Sequence, residues 1–245
     1  MNTLPGVGSA RSQRCDRGSV RRSDAGVPFF IVEVDAKPRM RGRLHQIAFF
    51  LSVPAGVALV VLAGTGKARF AAAVFALSLA GVFGASAAYH RVPWSEIARR
   101  RMKRLDHSMI FVLIAGTYTP FCLLAMHGAW GVALLVAVWG GAITGIILKQ
   151  VNVDGLHRLS GFLYITLGWV AVLALPQMFH GLSDTGFALV LAGGLLYTLG
   201  AIVFALKRPD PRPAIFGYHE IWHAFTAGAS LCHYSAVLLV VLAAR

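Results

Sequence analysis

Charged side chains are scarce in this chain. Asp, Glu, Lys and Arg make up 13% of its 245 residues, whereas a typical soluble domain contains about 25%. Hydrophobic residues account for 57% of the sequence. This balance excludes an ordinary soluble domain and predicts a protein that lies within a membrane.

Cysteine is also rare, with three residues, Cys15, Cys122 and Cys232. They are too few and too widely spaced for a disulfide framework or a CxxC metal motif. We interpret them as reduced and incidental to function.

Seven apolar stretches are long enough to cross a bilayer as helices, which takes about 20 residues each. In lipid the backbone must satisfy its own hydrogen bonds, so each stretch is expected to be helical. The predicted spans lie near residues 46–66, 70–91, 105–126, 129–148, 157–178, 185–206 and 217–243. The sequence therefore predicts an all-α, seven-transmembrane helix bundle over residues 45–245. Residues 1–44, rich in Arg, Ser and Gly, are predicted to be a disordered, basic cytoplasmic tail.

Acidic residues number 10 against 23 Lys and Arg, giving a formal net charge of +13. Such an excess could indicate a nucleic-acid partner, but the position of the charges is more informative than their sum. With the N-terminus cytoplasmic, twenty of the Lys and Arg residues fall on the inner side of the membrane. This positive-inside distribution predicts a multi-pass plasma-membrane protein with its C-terminus outside. Its expected partners are membrane lipids, including anionic headgroups at the basic inner face, and not nucleic acid.

The inner loop RVPWSEIARRRMKR (91–104) is predicted to form a short amphipathic helix at the headgroups. The outer loops are short and leave little room for an extracellular domain.

Few ionisable residues lie near the spans, and such residues are usually functional or paired because they are costly in the bilayer. His90 ends the second span, Asp106 begins the third, and His219 and His223 begin the seventh. In the predicted topology all four lie at the cytoplasmic end. Three segments distant in sequence therefore converge on one level of the membrane.

Histidines four residues apart lie on one face of a helix, so His219 and His223 can reach the same ion. With His90 as the third ligand they predict a Zn²⁺ site whose fourth position is left for water, as in catalytic zinc centres. Asp106 could accept a hydrogen bond from that water, and Ser86, one turn before His90, could orient it. We therefore assign Asp106 and Ser86 as candidate catalytic residues.

Other interpretations of the neighbouring residues remain open at this point. Glu220 lies about 100° from the ligand face, which favours a helix cap or an ion pair over a ligand. HEIWH also matches the zincin HExxH pattern, but His233, the next downstream histidine, lies about 15 Å deeper along the helix, and we discount that interpretation. His45 is more simply explained as an interfacial histidine than as a residue supporting the site.

Three segments resemble a known family: SAAYHRVPW (86–94), RLDHSMIFVLIAGTYTP (104–120) and HEIWHAF (219–225). They are similar to the signature segments of the haemolysin III branch of the progestin and adipoQ receptor superfamily, which includes adiponectin receptors and alkaline ceramidases. The resemblance covers about residues 38 to 243. It implies a cytoplasmic-side zinc site formed by Ser86, His90, Asp106, His219 and His223. Leu44 departs from the Thr that precedes the equivalent of His45 in many bacterial relatives, so the resemblance assigns no role to the first span.

The resemblance implies a zinc-dependent hydrolase acting on lipid amide bonds. A second hypothesis uses the same ligands for structural zinc in a non-enzymatic protein of membrane homeostasis or lipid sensing. A third, based on the family name, is a cytolysin that causes haemolysis. The short outer loops and apolar bundle argue against the third, because a secreted toxin needs a soluble form.

Overall fold

The computed structural model of the protein describes residues 38–153, 155 and 157–244. The first 37 residues of the predicted tail lie outside this part of the chain. Within the described ranges the chain is helical and contains no extended strand.

The helices follow one another along the chain with short connections. They are α1 (Arg43–Leu62), α2 (Gly66–Arg91), α3 (Glu96–Pro120) with a π-helical turn (Phe121–Ala125), α4 (Gly128–Val151), α5 (His157–Trp169) with a 3-10 turn (Val170–Ala174), α6 (Leu175–Gly181), α7 (Asp184–Leu206) and α8 (Tyr218–Ala243). The fifth crossing combines α5, the 3-10 turn and α6. The described residues thus contain seven segments long and apolar enough to span a membrane, which confirms the predicted all-α seven-span bundle.

Helix α3 begins nine residues earlier than the predicted span. Ser95 caps it by accepting the N–H of Ala98 at 3.4 Å, and Arg100 pairs with Glu96 one turn away at 2.7 Å. The prediction of a separate amphipathic helix in residues 91–104 is therefore wrong, because most of this segment forms the first turns of α3. The cap and the ion pair allow one helix to continue from the aqueous boundary into the bilayer.

The predicted boundary between tail and bundle at residue 44 falls inside α1, which begins at Arg43. The residues just before it are held by backbone hydrogen bonds. Arg39 N–H donates to Ala214 O and Met40 N–H to Ile215 O, both at 3.1 Å. The chain is therefore anchored to the α7–α8 connection before the first crossing starts.

Two crossings depart from regular α-helix where proline occurs. The π-helical turn follows Pro120, and the 3-10 turn precedes α6, which has proline in its first turn. Proline lacks the N–H that an α-helix requires four residues after each carbonyl, so the ladder changes register at these points.

The bundle closes because α1 packs against both α2 and α8, while α3 contacts α2, α4 and α8. Large apolar side chains such as Phe50, Leu51 and Leu77 point outward, as expected for surfaces that face lipid. Small residues allow close packing in the sixth crossing, with Gly193 facing His233 and Gly200 facing Phe225 and Trp222. This arrangement places α1, α2 and α8 side by side around the candidate site.

Candidate metal centre

The ionisable groups of the bundle gather at the end that carries most of its positive charge. We call this the basic end and define it by residues 39–43, 91–104 and 207–212. The opposite end is formed by turns of two or three residues, at 63–65, 126–127 and 182–183. His90 lies one residue before the end of α2, and His219 and His223 lie in the first two turns of α8. Alternating helix direction therefore brings them to the basic end together.

The first turn of α8 is stabilised by Glu220, which is buried with 1% of its surface exposed. Its Oε2 accepts the N–H of Gly217 at 2.8 Å, and its Oε1 pairs with the guanidinium of Arg41. The sequence predicted a helix cap or an ion pair at Glu220, and the structure confirms both. His219 directly precedes Glu220 in this turn, and His223 lies one turn further along α8.

The structure brings His90, His219 and His223 together. One ligand nitrogen from each ring lies within 4.8 Å of those of the other two. The ring centroids are 4.6 Å apart for His219 and His223, 5.0 Å for His90 and His219, and 5.4 Å for His90 and His223. Three imidazoles from two crossings can therefore face one point.

This donor set fits a metal ion. A tetrahedral zinc with bonds of about 2.0–2.1 Å holds its ligand nitrogens about 3.3 Å apart, a spacing that modest side-chain rotation gives from the observed separations. Nδ1 of His223 is buried and has no hydrogen-bond partner among the described residues. Leaving such an atom unpaired costs about 1–3 kcal/mol. A bound metal ion would give the nitrogen a partner and so remove that cost. The three histidines could thus hold a metal, and its identity as zinc stays a prediction.

Ser86 and Asp106 lie beside the histidines and not among them. Ser86 is buried one turn before His90, and its side chain interacts with the Asp106 carboxylate as a hydrogen-bond partner. Nδ1 of His107 lies 3.7 Å from Oδ2 of Asp106. Within the described ranges the close group of ligand atoms contains histidines alone, so Asp106 is available for a role other than direct coordination. The catalytic roles of Asp106 and Ser86 stay predictions.

His45 lies against the site, which the sequence did not favour. It is 3% exposed, and its ring stacks on that of His223 with centroids 3.8 Å apart and planes 12° from parallel. The edge-on ring of Phe83 contacts it at 5.1 Å. The interpretation of His45 as an interfacial histidine is therefore wrong, and the first span does contribute to the site despite the change at Leu44.

A signal for this position exists in the sequence. The buried residues of α1 are His45, Ser52, Gly56 and Leu59, which recur at helical spacing and include small and polar side chains. In a membrane helix such residues mark the face turned toward other helices. That pattern could have identified His45 as an inward-facing residue.

Three other histidines, His127, His180 and His233, lie apart from this group. His127 and His180 are exposed near the opposite end. His233 lies further along α8 with its Nε2 3.3 Å from Val190 O, which agrees with discounting a zincin-like ligand set. His157 belongs to α5, but its side chain falls outside the described part of the chain.

Comparison with known proteins identifies the family of this chain. Residues 35–234 match the family described as "Haemolysin-III related". The chain is 37% identical to "Hemolysin-3" of Bacillus cereus, over 81% of this chain and 89% of that protein. It is 36% identical to the "Hemolysin-3 homolog" of Bacillus subtilis, over 79% of this chain and 89% of the relative. A more distant similarity, 27% identity over 77% of this chain and 79% of the relative, extends to the human "Monocyte to macrophage differentiation factor".

The family match spans most of the chain and includes every residue of the histidine group, Ser86 and Asp106. Two bacterial relatives exceed 30% identity across most of their own length. The chain therefore belongs to the haemolysin III family, whose members are integral membrane proteins, within the progestin and adipoQ receptor superfamily.

Proposed function

We propose that this protein is a zinc-dependent hydrolase of lipid amide bonds, with its site at the basic end of the bundle. The observation that carries the proposal is the meeting of three histidines from α2 and α8 beside a carboxylate and a hydroxyl from two helices. The site lies at the ends of membrane-crossing helices, which is the depth at which the polar linkages of lipids are found.

The roles follow from the chemistry of amide hydrolysis, in which a C–O bond forms from water, the C–N bond breaks and the amine leaves with a proton. When bound, zinc polarises a carbonyl and lowers the pKa of water toward neutrality. His90, His219 and His223 would hold the ion. A carboxylate oxygen of Asp106 would accept a proton from the attacking water and deliver it to the amine nitrogen. Ser86, through its contact with that carboxylate, would hold it in the required orientation.

The decisive experiment measures zinc content and cleavage on the same preparation of purified full-length protein. We expect about one zinc per chain and release of fatty acid from a panel of N-acyl lipids in detergent micelles. His219→Ala should lose both properties, and exposed His127→Ala should lose neither. Cleavage by a His219→Ala protein that holds no metal would refute the proposal.

The same histidines also support a second function, in which the metal is a structural link between α2 and α8 in a non-enzymatic, lipid-sensing protein. A bound metal contributes directly to folding free energy. Asp106→Asn distinguishes the two functions, because it should remove cleavage and spare structure if the site is catalytic. A cellular phenotype that survives this substitution would favour the structural role.

The name "Hemolysin-3" of the Bacillus cereus relative supports cytolysis as a third candidate. The turns of two or three residues at the end opposite the site offer no obvious segment for a change from soluble to inserted form. Leakage of dye from liposomes containing the pure protein would favour cytolysis over hydrolysis.

We also propose that the basic end contacts anionic lipid headgroups. A surface cavity of about 360 Å³ is lined by Glu96, Ile97, Arg100, Arg101 and Arg104. The Nε of Arg104 is buried without a hydrogen-bond partner in the described ranges. Basic residues beside an apolar side chain at a membrane boundary suit a phosphate group attached to an acyl chain.

A further inference from the structure

The residues that precede and begin the first crossing touch the histidine site at several points. We call residues 39–45 the N-terminal clamp. Gly42 adopts a left-handed conformation with φ of +78°, and a Cβ placed there would lie 2.7 Å from the Cβ of His90. Arg41 pairs with Glu220, the neighbour of His219. His45 stacks on His223. The clamp thus lies directly against His90 and His223. It reaches His219 through the neighbouring residue Glu220.

We propose that the clamp positions the two histidines of α8 and thereby sets the affinity of the site for a metal ion. The inference rests on the proposed metal binding and concerns residues outside the ligand set. His45 and Arg41 are positioning residues in this proposal, since each acts through another side chain.

The stacking of His45 fixes the plane of the His223 ring. The lone pair of an imidazole nitrogen lies in the plane of the ring, so the ring's rotation determines whether that nitrogen can point at a shared ion. With a parallel ring 3.8 Å away, rotation of His223 about its Cβ–Cγ bond would drive its edge into His45. The stack therefore limits His223 to orientations close to the observed plane.

His45 acts by packing and is not a fourth ligand. A ring stacked parallel to His223 has its nitrogens in a plane displaced by about the stacking distance, whereas an ion bound by His223 lies in the plane of His223 itself. Within the described residues, His45 is absent from the close group of ligand atoms. Its ring packs against the rings of His223 and Phe83.

The ion pair holds the first turn of α8 from the other side. Glu220 is buried, and its two oxygens accept from Gly217 and Arg41. The backbone N–H groups of Arg39 and Met40 also donate hydrogen bonds to the connection before α8, which joins the same two segments a second time. The start of α8, and His219 with it, is thereby fixed against the start of α1.

The test compares zinc affinity by chelator competition in full-length protein variants, together with thermal unfolding in excess chelator. His45→Leu removes the ring, and we expect zinc affinity to fall about 10-fold or more, the usual effect of losing a residue that orients a ligand. His45→Phe keeps a ring of similar shape and should stay within about 3-fold of wild type. His127→Leu, an exposed histidine at the opposite end, is the matched control and should change nothing.

The ion pair is tested with the neutral double variant Arg41→Gln/Glu220→Gln, which avoids leaving a buried charge unpaired. The new amide oxygen can still accept from Gly217. We expect zinc affinity to be about 10-fold lower than that of wild type. Arg43→Gln, which replaces an exposed arginine two residues away, should leave zinc affinity unchanged. This arm also keeps the proposal testable if His45→Leu does not fold.

The outcomes separate this inference from the proposed function. Wild-type zinc affinity in folded His45→Leu and in the double variant would overturn the clamp and leave the metal site standing. Equal losses in His45→Phe and His45→Leu would overturn positioning by stacking. Wild-type protein that binds no zinc at all would overturn both proposals. Zinc binding without lipid cleavage would refute the hydrolase alone.

Discussion

The hydroxyl of Tyr118 in α3 accepts the backbone N–H of Ala171 at 2.6 Å. It also lies 2.9 Å from the carbonyl oxygens of Leu167 and Gly168. These backbone groups belong to the fifth crossing, where α5 passes into the 3-10 turn and regular helical hydrogen bonds are interrupted. One side chain thus satisfies the backbone of another helix at a depth where water is not available.

We expect Tyr118→Phe to lower the free energy of unfolding by about 1–3 kcal/mol, because it removes the hydroxyl that accepts the N–H of Ala171 and donates to the fifth crossing. The measurement is thermal unfolding in detergent. Tyr89→Phe is a suitable control, since its side chain is only half-buried and makes a ring contact with His90 that phenylalanine can retain. Equal stability of the Tyr118→Phe and wild-type proteins would show that the break in α5 is satisfied in another way.

Removal of the metal should destabilise the protein through the link between α2 and α8. A ligand present at 100 times its Kd stabilises the folded state by about 2.7 kcal/mol, so a chelator should lower Tm measurably. His90→Ala removes the ligand that α2 supplies, so a metal held by the two remaining histidines no longer links α2 to α8. The chelator should therefore not lower the Tm of this variant. A chelator-induced shift of the same size in His90→Ala would mean that the metal binds elsewhere.

Asp106→Asn should reduce kcat by about 10²–10⁴-fold, the usual contribution of a positioned general base. Zinc content should be unchanged, because the carboxylate is not among the close ligand atoms. Ser86→Ala should have a smaller effect on kcat, since Ser86 acts through Asp106. Loss of zinc from Asp106→Asn would assign the carboxylate to metal binding instead.

Gly42→Ala should weaken both the fold and the metal site. A left-handed backbone costs an L-residue about 1–2 kcal/mol, and the added methyl would in addition press on His90. Gly128 supplies a matched control, with φ of +73° and no atom within 4 Å of an added Cβ. Both alanine variants should lose stability, but only Gly42→Ala should lose zinc affinity; the same affinity in the two would exclude the contact with His90 as a cause.

Replacing Arg100, Arg101 and Arg104 by Gln should reduce association with anionic lipid. Each basic residue near such a surface contributes about 1 kcal/mol, so the three substitutions together should weaken association by about 100-fold. Native mass spectrometry of protein from mixed-lipid nanodiscs should then show loss of bound phosphatidylglycerol. Lys67→Gln/Arg69→Gln, at the opposite end of the bundle, is the control. Equal lipid retention by the two proteins would argue against the cavity as a headgroup site.

The number and order of the crossings could be predicted because hydropathy and length alone decide whether a segment enters a bilayer. The convergence of His90, His219 and His223 followed from alternating helix direction and four-residue spacing. Glu220 was identified correctly because its offset from the ligand face is a property of helix geometry. These are features that local sequence determines.

Other features depended on contacts between distant segments. In α1 the lipid-facing and inward-facing sides are both largely apolar, so the amphipathic pattern that identifies a core face in soluble proteins is weak. His45 therefore could not be assigned from periodicity alone. The partner of Arg41 lies 179 residues away, and no local pattern specifies that pairing. The early start of α3 was missed because the basic segment 91–104 was assigned to a short helix at the headgroups, whereas Ser95 and Glu96 allow α3 itself to begin there.

Seven is an odd number of crossings, and this has a consequence for the two ends of the polypeptide. Whichever way the bundle inserts, a label on the segment leading into α1 and a label following α8 must occupy different compartments. A pair of compartment-sensitive reporters would thus give opposite readings in one cell, and matching readings would require that one of the seven helices does not cross.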